Sequence, residues 1–258
     1  MDRIVFLGSG GARIVVFKQI RASGGIWFTL SNKNLLVDPG PGSLVRITKS
    51  RHKLDPSKID AILLSHRHLD HSADVNVIIE AMTEGGFKRR GKLYLPKDAI
   101  EGDDPVVLKY LRGFLDEIVI LEEGGRYSLN GLEFSTPIRH KHRGETYGFL
   151  FKTPKIKIAY IADTQYFEEL SKVYKADIVI FNVIRLKPSN LDHLSIPDVK
   201  RLILEIKPRL AILNHFGMTI IKAKPWKLAE ELTAQTEIRV VAASDGMELK
   251  LEELYAQN

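Results

Sequence analysis

The heptapeptide S-H-R-H-L-D-H at residues 65–71 constrains this chain more than any other feature, and it directly follows the apolar run Ala61–Leu64. In an extended segment, residues two apart project to the same side, so His66 and His68 can grip one cation between them. Asp70 and His71 come from the turn into the next element and point in different directions, which suits a second cation beside the first. Four ligand-type side chains within the six residues 66–71, at the end of a buried strand, would be costly to desolvate without a metal.

The chain holds eight histidines, and only His52 stands apart from a cluster. In RHKHRGETYGF, residues 139–149, His140 and His142 repeat the two-residue spacing; only one of them need be a ligand. Asp163 ends the apolar run KIAYIA. Alone it would read as a helix cap; near a pair of dications it is the natural bridging ligand. His193 lies in LDHLS, and His215 ends the apolar run LAILN. Ligands from strand ends spread over about 150 residues imply a site assembled by the whole chain, and a single domain over residues 1–258 is expected.

Composition narrows the chemistry. With no cysteine among 258 residues, a disulfide framework, a thiolate nucleophile and Cys-ligated zinc are excluded, leaving nitrogen and oxygen ligands. No run of eighteen apolar residues and no basic-then-apolar leader is present, so a cytoplasmic protein without a membrane partner is expected. The formal charge of +6 favours anionic partners. Basic concentrations at residues 46–53 and 88–92 read as solvated loops, whereas the one at 139–143 interleaves with histidines.

Short β-rich runs recur: RIVFLG, GIWFTL, NLLVD, DAILLS, KLYLP, LEFST, YGFLF, KIAYIA, DIVIF, LAILN and RVVAA. Helical patterns lie between some of them. In SIPDVKRLILEIKP, Ser195 suits an N-cap, Asp198 completes an S-x-x-D box and Pro208 ends the segment. AKPWKLAEELTAQ and a segment from Ser72 to about Glu84 are the other two. Strand follows strand early, and strand alternates with helix later, which predicts stacked sheets with helices outside.

The order H-x-H-x-D-H, a His six residues before Gly148, Asp163 in AYIADT and His215 in ILNHFG resembles the metallo-β-lactamase superfamily. The likeness runs from FLGSGG through LLVDPGPG to the final strands. It implies an α/β fold, the four-layer αββα sandwich. By the resemblance, His66, His68 and His142 hold one metal, Asp70, His71 and His215 the other, and Asp163 bridges them. Asp38 is similar to the buried aspartate that supports the first motif from behind. RHKHRGETYGF resembles the form seen in tRNase Z and in the cyclic phosphodiesterase branch rather than the PGHTPG-like stretch of thiolester hydrolases. His193 resembles the extra histidine that those phosphodiesterases place near the leaving group. Only residues 143–162 separate His142 from Asp163, with no room for the long substrate-gripping arm of short-form tRNase Z.

These readings imply a dinuclear, metal-dependent phosphodiesterase acting on a small or nucleotide-like anionic substrate. A hydroxide bridging two cations would attack phosphorus. Asp70 and His193 are its candidate catalytic residues; His140 is expected outside the ligand set. Zinc is the first choice of metal, with manganese or iron compatible with the same ligands. Two ions bring four charges, of which Asp70, Asp163 and the hydroxide offset three, so an anionic ester is favoured over a neutral lactam. Hydrolysis of another ester, a lactone or an amide, or metal binding without turnover, are the alternatives. Nucleic acid is not favoured as a partner, and a homodimer stays open.

Overall fold

The structure is a computed structural model that describes residues 2–255. The chain packs as two compact units. The first runs to Ser9, resumes over Arg21–Leu121 and takes the chain again from Asp245; the second comprises Gly10–Ile20 and Glu122–Ser244.

In the first unit lie β1 (Arg3–Phe6), β2 (Ile26–Leu30), β3 (Lys33–Val37), β4 (Ala61–Leu63), β5 (Lys92–Leu95) and β6 (Glu117–Ile120). The second unit holds β7 (Gly125–Leu129), β8 (Leu132–Thr136), β9 (Phe149–Lys152), β10 (Lys157–Ile161), β11 (Ile178–Arg185), β12 (Leu194–Ser195), β13 (Leu210–Asn214) and β14 (Arg239–Ala242). The last strand, β15 (Met247–Lys250), returns to the first unit. Among the described residues the first sheet runs β15-β1-β2-β3-β4-β5-β6 and the second β14-β13-β11-β10-β9-β8-β7, with β12 paired to β11.

Both sheets are mixed, and the burial pattern tracks the direction of pairing. β10, β11, β13 and β14 are parallel, and β11 is buried at seven consecutive positions from Ile178 to Ile184. Parallel strands covered on both faces read as unbroken apolar runs. β8 is antiparallel to both neighbours, and Glu133 faces solvent between buried Leu132 and Phe134, the alternation of a strand with one wet face.

Each unit has its own apolar core. In the first, Ile78, Ile79 and Met82 of the helix Val75–Met82 pack with Leu36, Ile62 and Leu93 of the sheet. In the second, Val199, Leu202 and Ile203 pack with Phe181 and Leu213. These positions recur at helical spacing in Ile196–Ile206, and fully burying such a side chain is worth about 1.5–3 kcal/mol. That helix starts as its sequence predicts. The Ser195 hydroxyl accepts from the backbone N–H at Asp198, whose carboxylate accepts the Ser195 N–H at 2.9 Å. The other two expected helices form as Pro225–Thr236 and Val75–Met82, the latter preceded by a short helix Leu69–Ser72.

The longer strands missing from the sequence reading are β6, β7 and β15, and each closes an edge of a sheet. Edge strands bury less, so EIVI, GRYSL and MELK never show two consecutive buried residues. The basic stretch at 88–92 also differs from a solvated loop. Arg89 Nε donates to the Leu115 carbonyl at 3.0 Å, and Arg90 Nη1 donates to the Ser57 and Met82 carbonyls. Both cations pin backbone carbonyls.

Candidate metal site

The first ligand set is built where β4 ends. Asp38 follows β3, and its carboxylate accepts three bonds: the Ser65 N–H at 2.7 Å, the Ser65 hydroxyl at 2.7 Å and Nδ1–H of His71 at 2.9 Å. With its proton committed to Asp38, the Ser65 hydroxyl accepts from His66 Nδ1, 3.0 Å away. This network assigns the Nδ1–H tautomer to both His66 and His71, leaving each Nε2 a lone-pair donor. Nδ1 of His68 lies 3.0 Å from His66 Nε2. Asp70 Oδ2 lies 3.8 Å from His71 Nε2. Asp38, His66 and His71 are buried.

Close backbone packing fixes this loop. A Cβ on Gly40 would stand 2.1 Å from the carbonyl oxygens of both Asp70 and Ser23, so only glycine fits in P-G-P-G. Asp74 accepts the Leu44 N–H at 3.0 Å and ties the neighbouring helix Ser43–Thr48 to the motif.

The second set belongs to the other unit. Asp163 follows β10 and is buried. Its Oδ1 accepts from Asn182 Nδ2 at 2.9 Å, and its Oδ2 lies 3.1 Å from His193 Nε2. His215 Nδ1 is 3.6 Å from Oδ1. The His142 ring meets the His193 ring edge-on with centroids 4.8 Å apart, and its Nδ1 faces the Asp192 carbonyl at 2.9 Å, which assigns the proton to Nδ1 and the lone pair to Nε2. His142, Asp163 and His193 each offer an atom within 4.8 Å of the others. His215 follows β13 with φ +60°. A Cβ on Gly11 would stand 2.1 Å from its ring, so the glycine lets the chain lie against the imidazole.

His140 stands apart from this set. Its Nε2 lies 2.9 Å from the Tyr174 hydroxyl, and burial pushes its pKa down to about 4. Burial pushes the Tyr174 phenol up, so the phenol donates and a neutral imidazole accepts. Gly148 completes the packing, because a Cβ there would meet the Tyr174 hydroxyl and the Tyr160 carbonyl, each at 2.5 Å. Of the basic residues beside these histidines, Lys141 lies over the Phe167 ring at 4.7 Å, while Arg139 and Arg143 are exposed.

The donors suit divalent cations. Every ligand offered is an imidazole nitrogen or a carboxylate oxygen, three histidines have one nitrogen committed to a supporting acceptor, and these supports orient the other nitrogen. Ligands about 2.1 Å from a tetrahedral ion sit about 3.4 Å apart. The His66–His68 and Asp70–His71 separations, 3.0 and 3.8 Å, bracket that value. Asn182 and Ser65 were not singled out from sequence. Asn182 had a signal, as the one amide inside the apolar run IVIFNVI.

Residues 33–216 match the profile of the β-lactamase superfamily domain. An uncharacterized protein of Methanocaldococcus jannaschii is 33% identical, with the alignment covering 96% of this chain and 94% of that protein. Among solved structures, the metallo-β-lactamase fold protein YhfI of Bacillus subtilis matches with a TM-score of 0.79 at 19% identity, covering 96% of this chain and 98% of that one. A diphosphatase from the PhnP family gives 0.73 at 20%, covering 97% and 98%, and the short form of human tRNase Z gives 0.70 at 17%, covering 96% and 98%. With its histidine and aspartate clusters able to hold divalent metal, the chain belongs to the β-lactamase superfamily and is a hydrolase of the metallo-β-lactamase fold.

Proposed function

We propose that the protein is a dinuclear, zinc-dependent phosphodiesterase acting on a small or nucleotide-like substrate. His66, His68 and His142 would hold one ion, Asp70, His71 and His215 the other, with Asp163 shared. The observation that carries the reading is His193, whose Nε2 sits 3.1 Å from Asp163 Oδ2 without belonging to the ligand pattern of the sequence motifs. Such a histidine, beside the shared carboxylate, is placed to supply a proton to a leaving oxygen. When bound, a pair of divalent cations supplies the activated water and the positive charge that phosphoryl transfer requires.

The chain's own residues do the rest. Asp38 and Ser65 orient His66 and His71 from behind. Asn182 fixes the rotation of the Asp163 carboxylate by donating to Oδ1. His193 carries the proton that an alkoxide leaving group needs, a contribution of about a hundredfold to ten-thousandfold. Arg139 and Arg143, exposed on the segment that carries His142, add positive charge for an anionic ester. The similar diphosphatase of the PhnP family and human tRNase Z support phosphate chemistry over lactam or thiolester chemistry.

The test is a substrate panel. The purified protein, loaded with zinc, manganese or iron, is assayed at neutral pH against a phosphodiester, a thiolester, a lactone and a β-lactam of matched leaving-group quality. The phosphodiester is expected to give the highest kcat/KM. A tenfold preference for the lactone or thiolester with every metal, lost in His68→Ala, would replace the phosphodiesterase reading while leaving the metal ligands in place.

A further inference from the structure

The end of the basic stretch at 46–53 lines a concavity unrelated to the ligand motifs. Arg3, Thr29, Asn34, Arg51, His52, Lys53, Glu248 and Lys250 line an open surface concavity of about 500 Å³. All eight belong to the first unit. Its floor follows from strand register, since Lys250 pairs with Arg3, Arg3 with Thr29 and Thr29 with Asn34. Side chains directly opposite one another lie on the same face of a sheet. Four strands thus set two cations, a hydroxyl and an amide in one row, and Arg51 to Lys53 add a wall.

The charge is one-sided. Arg3, Arg51, Lys53 and Lys250 carry four positive charges against one from Glu248, an excess of three with His52 neutral. Glu248 is used as a brace: its Oε1 accepts from Arg3 Nη1 at 3.0 Å, and its Oε2 lies 3.4 Å from His52 Nδ1. Nε2 of His52 lies 2.9 Å from the Gly246 carbonyl. Among the described residues, no carboxylate is within ion-pair distance of Arg51, Lys53 or Lys250. A concave lining with an excess of cations concentrates anions. The place is also separate from the ligands of this unit. Asn34 is the second residue of β3 and Asp38 follows its end, a span of about 13 Å at the rise of a strand.

We propose that this concavity is a second binding site, for a phosphorylated anion of nucleotide size. A single carboxylate would leave two of the three excess charges uncompensated, whereas a phosphoryl dianion offsets two and offers three acceptor oxygens to the arginine forks. The volume falls in the range of small-ligand pockets. This inference is independent of what reaction the metal ligands support.

Equilibrium dialysis of the zinc-loaded 258-residue protein against labelled adenosine 5′-monophosphate tests it, with inorganic phosphate as competitor. One bound nucleotide is expected to persist in His68→Ala. The exposed-residue variant Arg51→Glu/Lys53→Glu is expected to bind it at least about tenfold more weakly. Raising salt from about 50 to about 200 mM should also weaken it. Competition by inorganic phosphate at similar concentration supports recognition of the phosphoryl group. Binding that survives the charge reversals unchanged, disappears with His68→Ala, or is absent from every variant overturns the proposal. Metal content and melting temperature show whether the reversed variant is folded; if it is not, Lys53→Ala and Lys250→Ala are read in its place.

Discussion

Asp38 and His71 form a buried pair, Oδ2 to Nδ1 at 2.9 Å, in which the aspartate, at φ +52°, also accepts both donors of Ser65. The left-handed backbone at Asp38 is uncommon for a side-chain-bearing residue and persists because these three bonds hold it. Asp38→Ala would orphan the Ser65 amide and the His71 Nδ1–H, so metal affinity should fall about 10- to 100-fold. Stability should fall by about 1–3 kcal/mol for each donor left unpaired. Competition against a chelator and urea unfolding measure the two losses; affinity within twofold of wild type would remove Asp38 from its supporting role.

Gly11→Ala should displace His215. The added methyl would stand 2.1 Å from the imidazole, and the ring cannot yield without leaving its position at the end of β13. Metal content after dialysis should drop, while Gly113→Ala, where a Cβ meets nothing within 4 Å, should stay within about 0.5 kcal/mol of wild-type stability. Equal metal content in the two variants would contradict the packing account.

His193→Ala should keep its metals and lose turnover. The expected loss is about a hundredfold to ten-thousandfold on an alkyl phosphodiester, and much smaller when the leaving group is a nitrophenolate that departs without a proton. A variant that loses a metal equivalent would make His193 a ligand. One that hydrolyses the alkyl ester at the wild-type rate would have no use for its proton.

Acid should cost stability through His140. Its folded pKa is about 4, against about 6.5 for an unfolded histidine, so the unfolded chain takes up the proton first. The stability contributed by the neutral, buried ring is intact above about pH 6.5, declines as pH falls towards about 4 and then levels, for a total of roughly 3 kcal/mol. Urea midpoints of chelator-treated wild type and His140→Gln, compared across this window, should show the steeper decline in wild type. Parallel curves would mean that His140 titrates normally.

The candidate ligand motifs stand out because local sequence carries them: S-H-R-H-L-D-H, Asp163 and His215 each follow an apolar strand, where an ionisable group is conspicuous. The Ser195 box was legible for the same reason. Supports that act across the sequence were not. Asn182 reaches Asp163 from 19 residues away, and Ser65 reads as an ordinary polar residue until Asp38 is brought beneath it. Residues 10–20 joining the second unit, and β15 returning to β1, are long-range choices that no local periodicity encodes. Arg51 to Lys53 read as a solvated run, because only strand register brings Arg3 and Lys250 beside them.

The central claim is the proposed pair of metals with Asp163 as the shared ligand, and metal content tests it most directly. Protein purified without chelator and reconstituted with zinc should carry two equivalents per chain by elemental analysis, and Asp163→Ala should fall to one or fewer, because both ions would lose the ligand proposed to be shared. A value near zero after reconstitution with zinc, manganese and iron in turn, or two equivalents retained by Asp163→Ala, would contradict it.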